Sequence, residues 1–107
     1  MTDLEMTKLC AKAMGYTDIS EIEFPNDPRR YVSAMDQKRG LLWNPLQYDA
    51  QAMALVKKFE LEIGWMATGR ASVNFPNEEG PNWIEADTLN RAICECVAQM
   101  QQNKDAK

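Results

Sequence analysis

Three stretches of the chain repeat apolar residues at steps of three and four, and this period constrains the fold more than any other feature. They are residues 2–14, the segment from Asn44 and Pro45 up to Gly64, and residues 87–102. A helix that is apolar on one side only must cover another surface. We therefore expect three amphipathic helices packed on a small β-sheet, which is an α+β fold arranged as an α-β-α sandwich.

The first and last helices carry recognisable end signals. Thr2 begins a capping-box pattern, and Gly15 supplies a left-handed stop after the first helix. Asp87 or Thr88 is the predicted cap of the last helix. Residues 103–107 are expected to fray.

The triplet Trp43, Asn44 and Pro45 stands directly ahead of the middle helix. Asn is a favoured N-cap residue and Pro is favoured at the first helical position. Asp49 is an alternative cap, for a helix that starts one turn later. Trp43 is then placed to pack back onto the core, so the triplet is predicted to have a structural role, and Gly64 is predicted to end the helix.

Short strands are predicted between the helices. Residues 30–35 have a strand-like composition and residues 36–40 resemble a turn. Residues 68–70, Thr-Gly-Arg, suggest the turn of a hairpin. Residues 83–84 can add a short strand before the last helix.

The length and the cysteine content restrict the class of protein. A chain of 107 residues is long enough for one domain. No run approaches the roughly 20 apolar residues that a membrane-spanning helix needs, and the first residues do not resemble a signal peptide. Three cysteines do not form a disulfide framework, which is typical of a reducing compartment. We expect a single cytoplasmic domain without membrane association.

The chain contains no histidine, which excludes whole classes of catalytic and metal site. Ser-His-Asp and Cys-His nucleophile systems and histidine-ligated zinc all require that residue. The five glycines are dispersed and form no phosphate-binding loop. No pair of carboxylates is singled out by its spacing. We therefore expect no enzymatic activity, no cofactor and no metal.

Two of the three cysteines, Cys94 and Cys96, lie in the last predicted helix. Residues two apart on a helix point in directions about 200° apart. Because Cys96 belongs to the apolar stripe, we expect Cys96 to face the core and Cys94 to face outward. Cys10 also lies on an apolar stripe and is predicted to behave as a small buried hydrophobic residue.

A group of basic and aromatic residues is the candidate contact for nucleic acid. Its members are Arg29, Arg30, Tyr31, Lys38 and Arg39. Cations and exposed aromatic rings together are typical of proteins that bind single strands. The overall net charge of −4 argues against general nucleic-acid binding, which needs a concentrated basic face.

A group of acidic residues is the candidate surface for a protein partner. It consists of Glu78, Glu79 and Glu85, in a stretch that contains no basic residue. An acidic surface of this kind can bind a basic partner, and a solvated loop is the alternative explanation.

Several motifs resemble those of the phage ABA sandwich domain family. The residues that carry the resemblance are Trp43-Asn-Pro-Leu46, the helix start Tyr48-Asp-Ala-Gln-Ala-Met53, the segment Ala86–Cys94 and the pair Met14-Gly15. The resemblance covers residues from about 4 to 100. It implies an α-β-α layering and a phage or prophage origin, and it implies no particular activity.

Two functional hypotheses follow. In the first, the chain is a small non-enzymatic accessory protein that acts in the host cytoplasm by binding a host or phage protein, for example as an inhibitor of a host complex. In the second, the basic group at 29–39 binds nucleic acid. Either is compatible with a homo-oligomer, because an uncovered helix stripe or sheet edge could pair two copies.

Overall fold

The computed structural model describes residues 1–76 and 83–106, which form three helices and six strands. In chain order the elements are α1 (Asp3–Ala13), β1 (Thr17–Glu23), β2 (Arg30–Asp36), β3 (Arg39–Trp43), α2 (Asp49–Phe59), β4 (Glu62–Trp65), β5 (Ala71–Asn74), β6 (Ile84–Ala86) and α3 (Leu89–Asp105). This arrangement confirms the predicted α+β class.

The strands form two small sheets where the sequence predicted one. The first sheet has the order β1-β2-β3 and the second has the order β4-β5-β6. Within each sheet, strands that follow one another in sequence pair antiparallel. Because α2 separates β3 from β4 along the chain, each group of three strands completes its own local pairing.

The last helix, α3, is the element that the others share. It contacts α1, α2, β5 and β6, while α1 also covers β1 and β2. Its side chains form the largest part of the core, together with residues of every other helix and of both sheets. The largest fully buried residues are Trp43, Leu55, Ile93, Val73, Val97, Pro45, Cys10 and Cys94.

The predicted helix caps are present at both α1 and α3. The Thr2 hydroxyl accepts a hydrogen bond from the Glu5 N–H (3.1 Å), and the Thr88 hydroxyl accepts one from the Arg91 N–H (3.2 Å). Gly15 follows α1 in the left-handed region, with φ +85°. Each cap satisfies a backbone group that the first or last turn leaves unpaired.

Helix α3 runs three residues further than the sequence predicted. It continues to Asp105, so most of the segment expected to fray is helical. The Asp105 carboxylate accepts hydrogen bonds from Lys12 Nζ (2.9 Å) and from Gln101 Nε2 (2.9 Å). The bond from Lys12 attaches the end of α3 to α1, and the bond from Gln101 lies within α3.

The start of α2 is the later of the two starts that the sequence allowed. The helix begins at Asp49 with Tyr48 at the N-cap, and Asn44 does not cap it. Instead, the Asn44 C=O accepts the N–H groups of Gln47 (3.1 Å) and Tyr48 (2.9 Å) in a separate turn. The Asn-Pro pair therefore belongs to a turn that precedes the helix.

The end of α2 lies four residues before the predicted glycine. Glu60 adopts the left-handed conformation with φ 51°, and the Leu61 N–H donates to the Val56 C=O (3.1 Å). This closes the helix in the way that a glycine commonly does. The prediction that Gly64 ends the helix is wrong, because Gly64 lies within β4.

Candidate functional site

The basic group predicted at 29–39 divides between the two ends of the first sheet. Arg30 is the first residue of β2, whereas Lys38 lies in the turn that follows Asp36. A strand of this length spans about 20 Å at roughly 3.3 Å per residue. Arg29, Arg30 and Tyr31 therefore lie at one end, and Lys38 and Arg39 lie at the other.

Arg29 is bound by a neighbouring carboxylate. Its Nε and Nη2 atoms donate to the two oxygens of Asp27, each at 3.1 Å, and its backbone N–H donates to Oδ1 at 2.9 Å. The guanidinium carbon lies 5.6 Å from the centre of the Tyr31 ring. The Tyr31 hydroxyl donates to Asp27 Oδ2 at 2.7 Å. The three side chains thus form one hydrogen-bonded unit.

These hydrogen bonds shift the titration of all three groups. The bonds from Arg29 and then from Tyr31 hold the pKa of Asp27 well below its usual range. The hydrogen bond from Tyr31 to Asp27 raises the pKa of the Tyr31 hydroxyl, and the hydrogen bonds from Arg29 to Asp27 raise the pKa of the Arg29 guanidinium. The unit is therefore an ion pair at neutral pH, and its positive charge is compensated internally.

Arg30 is likewise paired with acidic side chains of β1. It lies 3.3 Å from a carboxylate oxygen of Glu21 and 3.1 Å from one of Glu23. Glu21 also accepts a bond from Lys8 at 2.7 Å, which lowers the pKa of Glu21. By contrast, Lys38 and Arg39 form no ion pair with any described residue.

Aromatic and aliphatic side chains surround the Asp27 unit on the outer face of the first sheet. Phe24 packs edge-on against Tyr31, with ring centres 5.2 Å apart. Leu42 lies opposite Ser33 in the register and points to the same face as Tyr31. Both Phe24 and Leu42 are exposed. This face can offer rings for stacking, but the cations beside the rings are already paired.

The acidic group predicted at 78–85 is described only in part. Glu78 and Glu79 lie outside the described residues. Glu85, in β6, lies 3.8 Å from Arg70, and the same arginine donates to Asp87 at 2.7 Å. Glu85 therefore shares one cation with a second carboxylate.

The residues of the Trp43 triplet lie at the junction of the first sheet and the core. The Trp43 side chain is 2% exposed and packs edge-on against Tyr16, with ring centres 5.2 Å apart. Its indole N–H is buried without a hydrogen-bond partner among the described residues. Pro45 is also fully buried. Trp43 and Pro45 thus line the core, whereas Asn44 is half-buried and its Nδ2 donates to Gln47 Oε1 (3.2 Å).

All three cysteines are buried, which corrects the prediction that Cys94 faces outward. The Cys10 thiol donates to the Cys94 C=O (3.4 Å), whereas Cys96 receives a backbone hydrogen bond from Phe75. Because α1 and β5 cover different sides of α3, residues on opposite faces of this helix are both enclosed. Burial raises the pKa of Cys96 to about 11, so this thiol is not ionised at neutral pH. No cluster of metal-ligating side chains occurs among the described residues.

Exposed apolar side chains form a group along β4 that was not predicted from the sequence. Ile63, Trp65, Met66 and Trp83 expose 38%, 66%, 41% and 46% of their surface, and we call them the β4 surface. Alternation along a strand places Ile63 and Trp65 on one face. Apolar residues on both sides of Gly64, just before a turn, are compatible with a strand, but they do not indicate that its side chains are exposed at a sheet edge.

Trp83 lies on the opposite face of β4, over Gly64. A Cβ added to Gly64 would lie 3.5 Å from the Trp83 ring and 3.1 Å from the Ser72 hydroxyl. The absence of a side chain at Gly64 therefore lets the indole lie close to the strand. Apolar surface is exposed on both faces of β4 as a result.

No described helix is both long and apolar enough to cross a lipid bilayer. Comparison of the chain with protein-family models, with curated proteins and with solved structures found no match.

Proposed function

We propose that the protein is a non-enzymatic interaction module that binds another protein through the β4 surface. The observation that carries this proposal is the exposure of two tryptophans, Trp65 and Trp83, with Ile63 and Met66 beside them. Small soluble proteins rarely expose several large apolar side chains in one place unless they bind a partner there. Tryptophan is also the residue type most enriched among the side chains that dominate binding energy.

The chemistry of the remaining chain supports a non-enzymatic role. The sequence lacks histidine, and all three thiols are buried. The hydrogen bond to Cys94 and burial raise the pKa of Cys10, and burial raises the pKa of Cys96, so these two thiols are poor nucleophiles at neutral pH. The hydrogen-bonded unit of Asp27, Arg29 and Tyr31 is internally neutralised. These features favour binding over catalysis.

We further propose a phage or prophage origin, with a host or phage protein as the partner in the cytoplasm of a bacterial host. The motifs around Trp43, Tyr48 and Ala86–Cys94, which resemble the phage ABA sandwich domain family, support this origin. In this proposal the β4 surface occupies a site on a host complex and blocks it. The net charge of −4 suits a partner whose binding site has a basic rim.

Affinity capture of the tagged protein from a bacterial lysate, with and without nuclease, tests this function. We expect one protein to be retained after nuclease treatment and to be reduced about tenfold or more by Trp65→Ala. Tyr48→Ala is the matched control, because Tyr48 is another exposed aromatic residue away from β4 and its loss should leave capture unchanged. Capture that is the same for both variants would contradict the proposal, as would recovery of nothing above background.

A second candidate function is single-strand nucleic-acid binding across the outer face of the first sheet. Lys38 and Arg39, which form no ion pair with a described residue, and the rings of Phe24 and Tyr31 favour it. If only these two cations contact phosphates, a plot of log K against log salt should have a slope of about −1.4, whereas contact by Arg29 and Arg30 as well would give about −2.8. Titration of a labelled oligothymidine at several salt concentrations measures this slope, and undetectable binding at low salt would end this candidate.

A further inference from the structure

One backbone hydrogen bond determines which backbone groups of β4 point to its free edge. The Met66 N–H donates to the Arg70 C=O at 2.8 Å, just beyond the register pair Trp65 and Ala71. In an antiparallel ladder, hydrogen-bonded and non-hydrogen-bonded pairs alternate. Gly64, two residues before Met66, is therefore bonded to β5. The N–H and C=O groups of Ile63 and Trp65 consequently point away from β5, towards the free edge.

The other edge strands of the two sheets are protected. The Gln51 side chain covers the edge of β3, because it donates to the Leu42 C=O (2.8 Å) and accepts from the Asn44 N–H. Strand β1 carries an irregularity in its register near Asp18, and β6 is only three residues long. Bulges, covering groups and short strands are the usual means of preventing strand addition.

Strand β4, four residues long, has neither a bulge nor a covering side chain among the described residues. It follows α2 directly, no described strand or side chain pairs with its outer edge, and its edge-facing residues carry the apolar side chains Ile63 and Trp65. An edge of this kind is suited to pairing with another extended chain.

We propose that the partner binds by strand addition: an extended segment of the partner pairs with the free edge of β4. Its alternate residues are apolar, and they lie on the face of Ile63 and Trp65. Its remaining residues are basic, because Glu62 at the start of the strand and Glu60 just before it are exposed and form no ion pair with a described residue. The Glu62 carboxylate accepts one hydrogen bond, from the neutral side chain of Asn74 (2.8 Å), and keeps its charge. This inference rests on the proposed function and specifies how the β4 surface is used.

The probe for this proposal is a labelled peptide of alternating lysine and valine, measured by fluorescence polarisation. Two further versions carry N-methyl groups on the valine amides or on the lysine amides. The valine side chains of the bound peptide are expected on the face of Ile63 and Trp65. If the peptide then pairs antiparallel with β4, its valine N–H groups point to β4; if it pairs parallel, its lysine N–H groups do so. We expect one methylated peptide to bind about tenfold more weakly than the unmodified peptide and the other to bind like it. Equal binding of all three would overturn strand addition.

Variants of Ile63 test the protein side of the contact. Ile63→Pro removes an N–H that points to the free edge, and proline is tolerated at such positions. Ile63→Ala is the matched control, because it removes the side chain and keeps the N–H. We expect the proline variant to bind the peptide about tenfold more weakly than the alanine variant, with both folded by circular dichroism. If the proline variant does not fold, the methylated peptides still decide the question.

Failure of this proposal is distinguishable from failure of the proposed function. If the peptide does not bind at about millimolar concentration, strand addition by a basic segment is wrong, whereas the effect of Trp65→Ala on capture still decides the function. If light scattering finds a dimer that Ile63→Pro dissociates, the occupant of the edge is a second copy of the chain, and the proposed partner segment is also overturned.

Discussion

At the scale of single residues, Asp27 organises the exposed corner of the first sheet. Its carboxylate accepts hydrogen bonds from the backbone and the side chain of Arg29 and from Tyr31. The sequence indicated that basic and aromatic residues cluster here and that Asp27 and Asp36 balance their charge locally. It did not indicate that Asp27 binds Arg29 and Tyr31 in one hydrogen-bonded unit. Side-chain geometry in a turn decides this pairing, and spacing alone does not specify that geometry.

Asp27 should make stability depend on pH in the acid range. Because its pKa is lowered in the folded protein, its contribution is complete above the unfolded pKa of about 4 and is lost as the pH falls below that value. We expect Asp27→Asn to lower the free energy of unfolding at pH 7, and the difference from the wild type to shrink below about pH 4. Urea denaturation at several pH values measures this, and a difference that is constant with pH would contradict the assignment.

Burial of individual leucines gives a second residue-scale prediction. Leu55 is fully buried on α2, whereas Leu42 on β3 is 40% exposed. We expect Leu55→Ala to lower the free energy of unfolding by about 2–5 kcal/mol through loss of apolar burial and a residual cavity. Leu42→Ala should cost less than about 1 kcal/mol. Equal losses in urea denaturation would show that the core is placed wrongly.

At the scale of elements, the helices were predictable and the first strand was not. Thr2 and Thr88 cap α1 and α3 as expected, because capping depends on residues three positions apart. Strand β1 escaped prediction because Ile19 and Ile22, its two partly buried residues, are three apart instead of two. The register shift between Thr17 and Ser20 explains this spacing, since a bulge breaks the alternation by which a strand is recognised.

The hairpin between β4 and β5 gives an element-scale prediction. Gly69 has φ +86°, which disfavours any side chain, although a Cβ there would meet no atom within 4 Å. We expect Gly69→Ala to cost about 1–2 kcal/mol of unfolding free energy through backbone strain alone. Gly40→Ala is the matched control, because its Cβ would make an ordinary 3.6 Å contact with the Met35 sulfur. Equal melting temperatures of the two variants would exclude this conformation at Gly69.

At the scale of the whole molecule, the position of α3 explains what local patterns could not. The sequence correctly placed Cys96 on the apolar stripe and wrongly placed Cys94 outside, because it assumed one buried side for each helix. Since α1, α2, β5 and β6 all contact α3, this helix is enclosed on more than one side. The number of faces that a helix buries depends on tertiary packing, and periodicity cannot supply it.

The distribution of exposed groups is also a property of the whole fold. The residues at 29–39 are close in sequence but are divided between opposite ends of the first sheet, while Trp83 reaches Gly64 from a distant part of the chain. For these reasons we propose the β4 surface as the binding site, in place of the basic group that the sequence suggested. The candidate site could therefore not be predicted until the strands had been paired.

Photo-crosslinking tests whether the β4 surface binds a protein. The photoreactive residue p-benzoyl-phenylalanine replaces Trp65 in one variant and Lys38 in another, and each variant is irradiated in a bacterial lysate. We predict a nuclease-resistant protein adduct from position 65 and none from position 38, because Lys38 lies in the turn between β2 and β3 of the first sheet and not in the second sheet, which contains β4. An adduct from position 38 without one from position 65 would contradict the claim and would assign binding to the first sheet.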